Sequence, residues 1–395
     1  MHLSSRVLLS RSEVVSAGGR WPRGATPVGV GMMSAVVRPM FMPARELCGA
    51  FYREIVGPLL ADRPHAAALL GWGSDVLGFD TDRSTDHGWG PRLLVFLNDD
   101  ADVPVVNQRV ATGLPEFFQG WPVRYGWDEV PVAHRVTVTT LSAWLIEHLG
   151  VDATLGMGLV DWLVTPEQRL LGVTSGAVYA DQTGELTRVR SRLAWYPDDV
   201  WRWLLACQWR RLAQEEAFVQ RTAEVGDELG SAVIANRLAR DVMRLALLLE
   251  RRYAPYSKWL GTAFARLDQT DGLGRHLEDA VHARDLAQRE PALARAYETI
   301  ARRHNRAALT EPLDPTARPY HSRPARVLLA DRYAEACRAT VRDPALRGSP
   351  LIGGIDQVVD DTDVLEAPQL YRRLVALWPG LTDEAATVNH ARPSI

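Results

Sequence analysis

Lysine is almost absent from this chain. Of 45 basic residues among 395, only Lys258 is lysine, and arginine fills exposed helix positions where either would serve. That one lysine is either a chance survivor or a place that needs a compact ammonium rather than a planar guanidinium. Cysteine is scarce too. Cys48, Cys207 and Cys337 are isolated, with no C-x-x-C spacing, which excludes a disulfide framework and a zinc site and leads us to expect a reducing cytoplasm. No apolar run approaches the length of a membrane span. The net charge of -3 lacks the positive excess of a protein that coats nucleic acid. Residues 1–40 are rich in Gly, Arg and Ser, without periodicity or an adequate apolar h-region, so a disordered extension is expected and a signal peptide is not. Met32, Met33, Met40 and Met42 offer later starts.

What is present is ordinary globular composition, 47% hydrophobic and 24% charged, with length enough for two domains. The rest is organised around Gly71 to Leu97. An apolar segment with Ala66, Leu69 and Leu70 reads as helical and leads into the turn pair Gly73-Ser74. Asp80, Asp82 and Asp86 follow, closed by Gly88-Trp89-Gly90-Pro91. Arg92 to Leu97 has the length and content of a buried strand. Acidic groups at the mouth of a strand suit a hard divalent cation, and backbone amides at a Gly-Ser turn suit phosphate. A metal-nucleotide site and a solvated acidic loop capping a strand explain this spacing equally well.

Elsewhere, residues 43–62 and a segment within 104–120 carrying Leu114, Phe117 and Phe118 read as helices, and Val132 to Leu141 as a half-buried strand. Ser142 to Leu149 reads as helical. Trp162-Leu163-Val164 and Gly176 to Tyr179 read as short edge strands. After Pro197 the pattern is helix only: one capped by Asp198 or Asp199 and running to about 221, one from Gly226-Asp227 to about 253 with Val233 on its apolar face, then about 275–305, 324–342 and 367–378. Thr310 to Pro324, rich in proline, reads as an extended loop. The expected domains are 41–190 and 195–380, with a tail over 381–395. Trp201, Trp203 and Trp209 read as core. The acidic run Asp356, Asp360, Asp361 and Asp363 reads as caps and turns.

Gly73-Ser74, with Ser84-Thr85-Asp86 about ten residues on and a hydrophobic strand behind them, resembles the nucleotidyltransferase superfamily of polymerase-beta-like fold. GSDVLGFDTDRSTDHGWGPRL, RRYAPYSKWLGTAFARL, HNRAALTEPLDP and PLIGGIDQVVDDTDVL more closely resemble domain-of-unknown-function family 4037, over roughly residues 41–378. The resemblance implies an α/β (α+β) nucleotidyltransferase-like N-terminal domain followed by an all-α helical bundle. It implies an NTP substrate with Mg2+, and transfer of a nucleoside monophosphate to a hydroxyl of an undefined small-molecule or macromolecular acceptor. Gly73 and Ser74 would bind triphosphate, and Asp86 would be the first metal carboxylate. Lys258 and Tyr256 would reach the nucleotide from the second domain. Apart from the resemblance, His304, Asn305 and Glu311 before the proline-rich loop either line an acceptor pocket or make a satisfied polar contact at a helix end.

The sequence also departs from that pattern. The second carboxylate would fall at Gly88, and Val132 to Leu141 carries Thr137 and Thr139 in place of an acid. Asp80, Asp82, Asp128 or Glu129 would have to substitute as ligands, and His87 as ligand or base. Two readings therefore stand: a metal-dependent transferase with an incomplete carboxylate triad, or an inactive nucleotide- or partner-binding descendant of the same fold.

Overall fold

The computed structural model describes residues 39–381, except 87, 128 and 129. The N-terminal extension to residue 38, the tail beyond 381, and the candidates His87, Asp128 and Glu129 lie outside the described residues. Five strands form a mixed sheet: β1 (His65–Leu69), β2 (Arg92–Leu97), β3 (Arg124–Trp127), β4 (Val130–Thr140) and β5 (Ala177–Asp181). Their order across the sheet is β3-β4-β2-β1-β5. β1 lies antiparallel to β2 and β5, and β4 runs parallel to β2 with Thr137 opposite Leu94.

Period-two alternation sorts the side chains of β2. Leu93, Val95 and Leu97 pack with Leu47 and Phe51 of helix α1 (Ala44–Phe51). Phe96 turns the other way, with Ala66 and Ala68 of β1, toward Trp144. β1 itself corrects the helical reading of Ala66 to Leu70. All five of its residues are buried between two neighbouring strands, and a run buried on both faces shows no alternation to tell it from a buried helix.

β1 leads through the Gly73 turn into the short helix α2 (Ser74–Leu77). Helix α3 (Leu141–Leu149) follows β4, and α4 (Glu167–Thr174) precedes β5. Two short readings are reversed. Trp162-Leu163-Val164 ends a helix, Leu159–Val164, and Phe117-Phe118 pairs with Trp121-Pro122 after the helix Val103–Gly113 has ended. Such triplets are too short to carry a period.

The second half is built on α5 (Asp198–Glu215), α6 (Glu228–Leu249), α7 (Ser257–Ala265), α8 (Leu286–Arg306) and α9 (Asp331–Ala339). The Asp227 carboxylate caps α6 by accepting from Gly230 N. Val233 points to solvent rather than into the core. The helix-only expectation is corrected by a two-stranded ribbon, Arg318–Tyr320 with Arg323–Val327, where Pro319 is tolerated because every strand is an edge.

The architecture is thus an α/β layer followed by a mainly helical layer that carries one two-stranded ribbon. One hydrophobic cluster runs from Ala66 and Phe96 through Trp144 to Trp203, Leu245 and Tyr371. The described residues from Met40 onward form one compact unit. No helix among them is long and apolar enough to cross a membrane.

Candidate functional site

The turn after β1 is built for close approach. Gly73 sits at φ 119, ψ 160, a region open essentially to glycine, and a Cβ there would lie 2.1 Å from Asp75 Oδ1. Arg92, at the start of β2, fastens the turn. Its Nε donates to Asp75 Oδ2 at 2.7 Å, and its Nη atoms donate to the carbonyls of Leu70 and Trp72. All three nitrogens of that guanidinium are engaged in the turn. The Ser74 side chain, at the start of α2, lines a cavity.

The cavity holds about 890 Å³, within the range of small-molecule sites. Its walls come from the Gly73 turn, β2, β4, α3, α4 and the stretch around Glu366 and Pro368. Two further arginines reach it. Arg135, from β4, donates to the carbonyls of Tyr125 and Pro131 and lies 4.9 Å over the Trp127 ring. Arg169, from α4, is only 5% exposed and lies 4.0 Å over Trp72.

Arg169 is the anomaly. Its Nη1 meets His148 Nδ1 at 3.3 Å and its Nε has no partner. No carboxylate stands within ion-pair distance of it among the described residues; Glu366 acts only from further off. Burial pulls its pKa down to about 10. Neighbouring His148 adds no charge: it stacks flat on Trp144 at 4.8 Å, and burial pushes its pKa down to about 3. A buried cation without a counter-charge costs several kcal/mol, unless an anion arrives. Arg135 Nε, His134 Nδ1 and Trp89 Nε1 line the same space and are likewise buried without partners.

The aspartates expected to hold metal do not assemble. Asp80 accepts from Ala44 N at 2.7 Å. Asp82 lies exposed in the single turn Asp82–Thr85, and Asp86 pairs with Arg83 at 3.6 Å. None of the three lines the cavity, and among the described residues no group of three or more His, Cys, Asp or Glu is placed to hold a metal ion. Position 88 explains part of this. Gly88 lies in the cavity wall at φ 59, and a Cβ there would fall 2.6 Å from the Trp127 ring. An indole stands where a second carboxylate would need room, and Thr137 holds its place on β4. The donors among the described residues do not fit a two-metal centre.

Lys258 is exposed on α7, with Nζ 5.2 Å over the Trp259 ring, and does not line this cavity. Tyr256 comes nearer, since its backbone N–H donates to Gln168 Oε1 beside Arg169, while its hydroxyl accepts from Trp259 Nε1. The trio offered as an acceptor pocket does not line this cavity. His304 is fully buried with both ring nitrogens engaged, by Trp209 Nε1 and Thr310 Oγ1. Asn305 is spent on both backbone groups of Leu313, and Glu311 is exposed. These residues tie α8 to the loop behind it. The sequence reading missed Arg135 and Arg169; the available signal was three consecutive polar residues, Glu167 to Arg169, opening an otherwise apolar buried helix.

Fold and cavity together define an α/β protein in which a Gly-Ser turn, a short helix and an antiparallel strand frame an arginine-lined pocket. Residues 162–260 match the model of a family described as a domain of unknown function, DUF4037, so the resemblance read from the sequence holds over that segment. It spans α4 with Arg169, and continues through Tyr256 and Lys258. No curated protein matches the chain. Among solved structures, the nucleotidyltransferase-like protein from Exiguobacterium sibiricum 255-15 is similar at 15% identity, over 88% of this chain and 93% of that one, with a TM-score of 0.29. At that score the two backbones lie too far apart to transfer a residue's role.

Proposed function

We propose that the chain binds a nucleotide in the Gly73–Arg169 cavity, and that it does so without two-metal nucleotidyl transfer. The observation that carries this is the buried, uncompensated guanidinium of Arg169 facing a cavity walled by indole rings. Arg169 and Arg135 are suited to phosphate oxygens, with the Ser74 hydroxyl as a further donor. Trp127, partly open to solvent and carrying Arg135 over its ring, is the aromatic we place beside a base. The inactive-descendant reading is favoured over the transferase reading because Asp80, Asp82 and Asp86 stand apart and Gly88 is pressed against Trp127.

The test is thermal stabilisation by ATP and GTP, run beside transfer of labelled α-phosphate to a broad acceptor panel. Nucleotide should stabilise the wild type and fail to stabilise Arg169→Gln, while Lys258→Ala and Asp86→Ala respond as wild type. No label should be transferred. Magnesium-dependent transfer abolished by Asp86→Ala would restore the enzyme reading.

A further inference from the structure

A second cleft, of about 540 Å³, lies on the other side of α2 and α4. Ser74 opens α2 toward the first cavity, whereas Leu77 at its end lines this one. α4 likewise gives Arg169 to the first, and Leu171 and Thr174 to the second.

The charged side chains lining the second cleft are all arginines: Arg190, Arg251, Arg252 and Arg266. Arg251 has its counter-charge in Asp198 and lies 4.1 Å over Trp201. The other three face no carboxylate at ion-pair distance among the described residues. Arg190 donates to the Thr174 carbonyl at 2.8 Å, and its other Nη is buried without a partner. Arg266 donates to the Gly78 carbonyl at 2.9 Å. The exposed Arg252 side chain makes no hydrogen bond among the described residues. Burial, then repulsion from Arg45, holds the Arg190 pKa below its usual value.

The floor beneath these arginines is aliphatic, built from Leu77, Leu171, Leu247, Ala263 and Leu267. Its rings are already engaged. Phe79 lies under Arg266 at 4.1 Å and against Trp259 at 5.2 Å. Tyr253 is buried among Trp195 and Tyr196. The cleft therefore offers no free ring to a nucleobase.

We infer that this cleft is a second ligand site, taking an aliphatic anion whose carboxylate or phosphate head meets Arg190, Arg252 and Arg266 while its alkyl tail lies on the leucine floor. Guanidinium forks match both head groups, and each methylene removed from water adds to affinity.

Titration calorimetry on the full chain, with laurate, dodecyl phosphate, dodecanol and inorganic phosphate below micelle-forming concentrations, tests the site. One or both alkyl anions should bind with one-to-one stoichiometry, and the tighter one identifies the head. Dodecanol and phosphate alone should each bind at least about ten-fold more weakly, as expected when a charge-assisted contact or the tail is lost. Arg252→Gln, exposed and without a partner to lose, should weaken the alkyl anion by about five-fold or more, while Ala263→Phe fills the floor and abolishes binding. The inference is overturned if dodecanol binds as well as the tighter alkyl anion, if Arg252→Gln and Arg190→Gln leave affinity unchanged, if affinity follows Arg169→Gln instead, or if neither anion binds.

Discussion

At the scale of single residues, Arg169 and Gly88 decide what the cavity can do. The guanidinium of the buried Arg169, beside a neutral histidine and without a paired carboxylate among the described residues, is a liability to the empty protein and an asset to an anion. Arg169→Gln should therefore raise the midpoint of thermal unfolding without ligand, by the equivalent of about 1 kcal/mol or more, while it lowers nucleotide affinity. A fall in both would show Arg169 to be a packing residue. Gly88 tests the metal question from the other side. Gly88→Asp restores the carboxylate implied by the resemblance, yet adds a side chain at φ 59 against Trp127, costing about 2 kcal/mol in strain and overlap. The variant should unfold earlier and still transfer no label; Gly88→Asp with Trp127→Ala should regain part of the stability. Gly88 as a departure from the pattern was legible from the sequence. The indole that fills its place was not, because Trp127 lies 39 positions away across β3 and contact at that range is a property of the sheet. Arg169 was hidden differently: among so many arginines no single one stands out, and only burial separates it from its neighbours.

At the scale of elements, buried acids tie the layers together and make stability depend on pH. Glu167 and Asp356 are both buried beside Arg244, with Asp356 accepting from Glu167 N and Glu167 from Ala254 N. Burial pushes both carboxyl pKa values up. Asp356, read as a cap, accepts the first N–H of α4 and so also clasps that helix to the stretch after Gly354. Glu216, just past the end of α5, accepts from Leu328 N and Ala330 N, and burial raises its pKa to about 7. A carboxyl whose folded pKa lies above its unfolded value binds its proton more tightly when folded. Its stabilisation is full below the unfolded value and is lost as pH rises through the folded one. The wild type should therefore lose more stability than Glu216→Gln between about pH 5 and pH 8; equal slopes would show that Glu216 titrates normally. Among the elements themselves, β2 was legible to the residue because Pro91 and Asn98-Asp99-Asp100 bound it. β1 was misread because its alanines favour a helix on their own and become a strand only between β2 and β5.

At the scale of the whole molecule, the sheet and the helical half share one core. Ala66 and Phe96 belong to the same cluster as Trp203 and Leu245, and Ala254 N is held by Glu167. Heating should give a single cooperative transition by calorimetry, and residues 40–194 expressed alone should fail to unfold cooperatively. Two resolved transitions would show the halves to be independent. Both candidate ligand sites flank α2 and α4, so the cavity that answers to nucleotide and the cleft that answers to an alkyl anion share two walls.

The claim on which the functional account rests is that anion affinity comes from Arg169 and not from a metal. Calorimetric titration of ATP into the full chain, once in excess magnesium and once in EDTA, for the wild type and for Arg169→Gln, measures this directly. The account predicts wild-type affinity within about three-fold in the two buffers and a loss of about ten-fold or more in the variant. ATP binding that vanishes in EDTA, or that is untouched in Arg169→Gln, would contradict it.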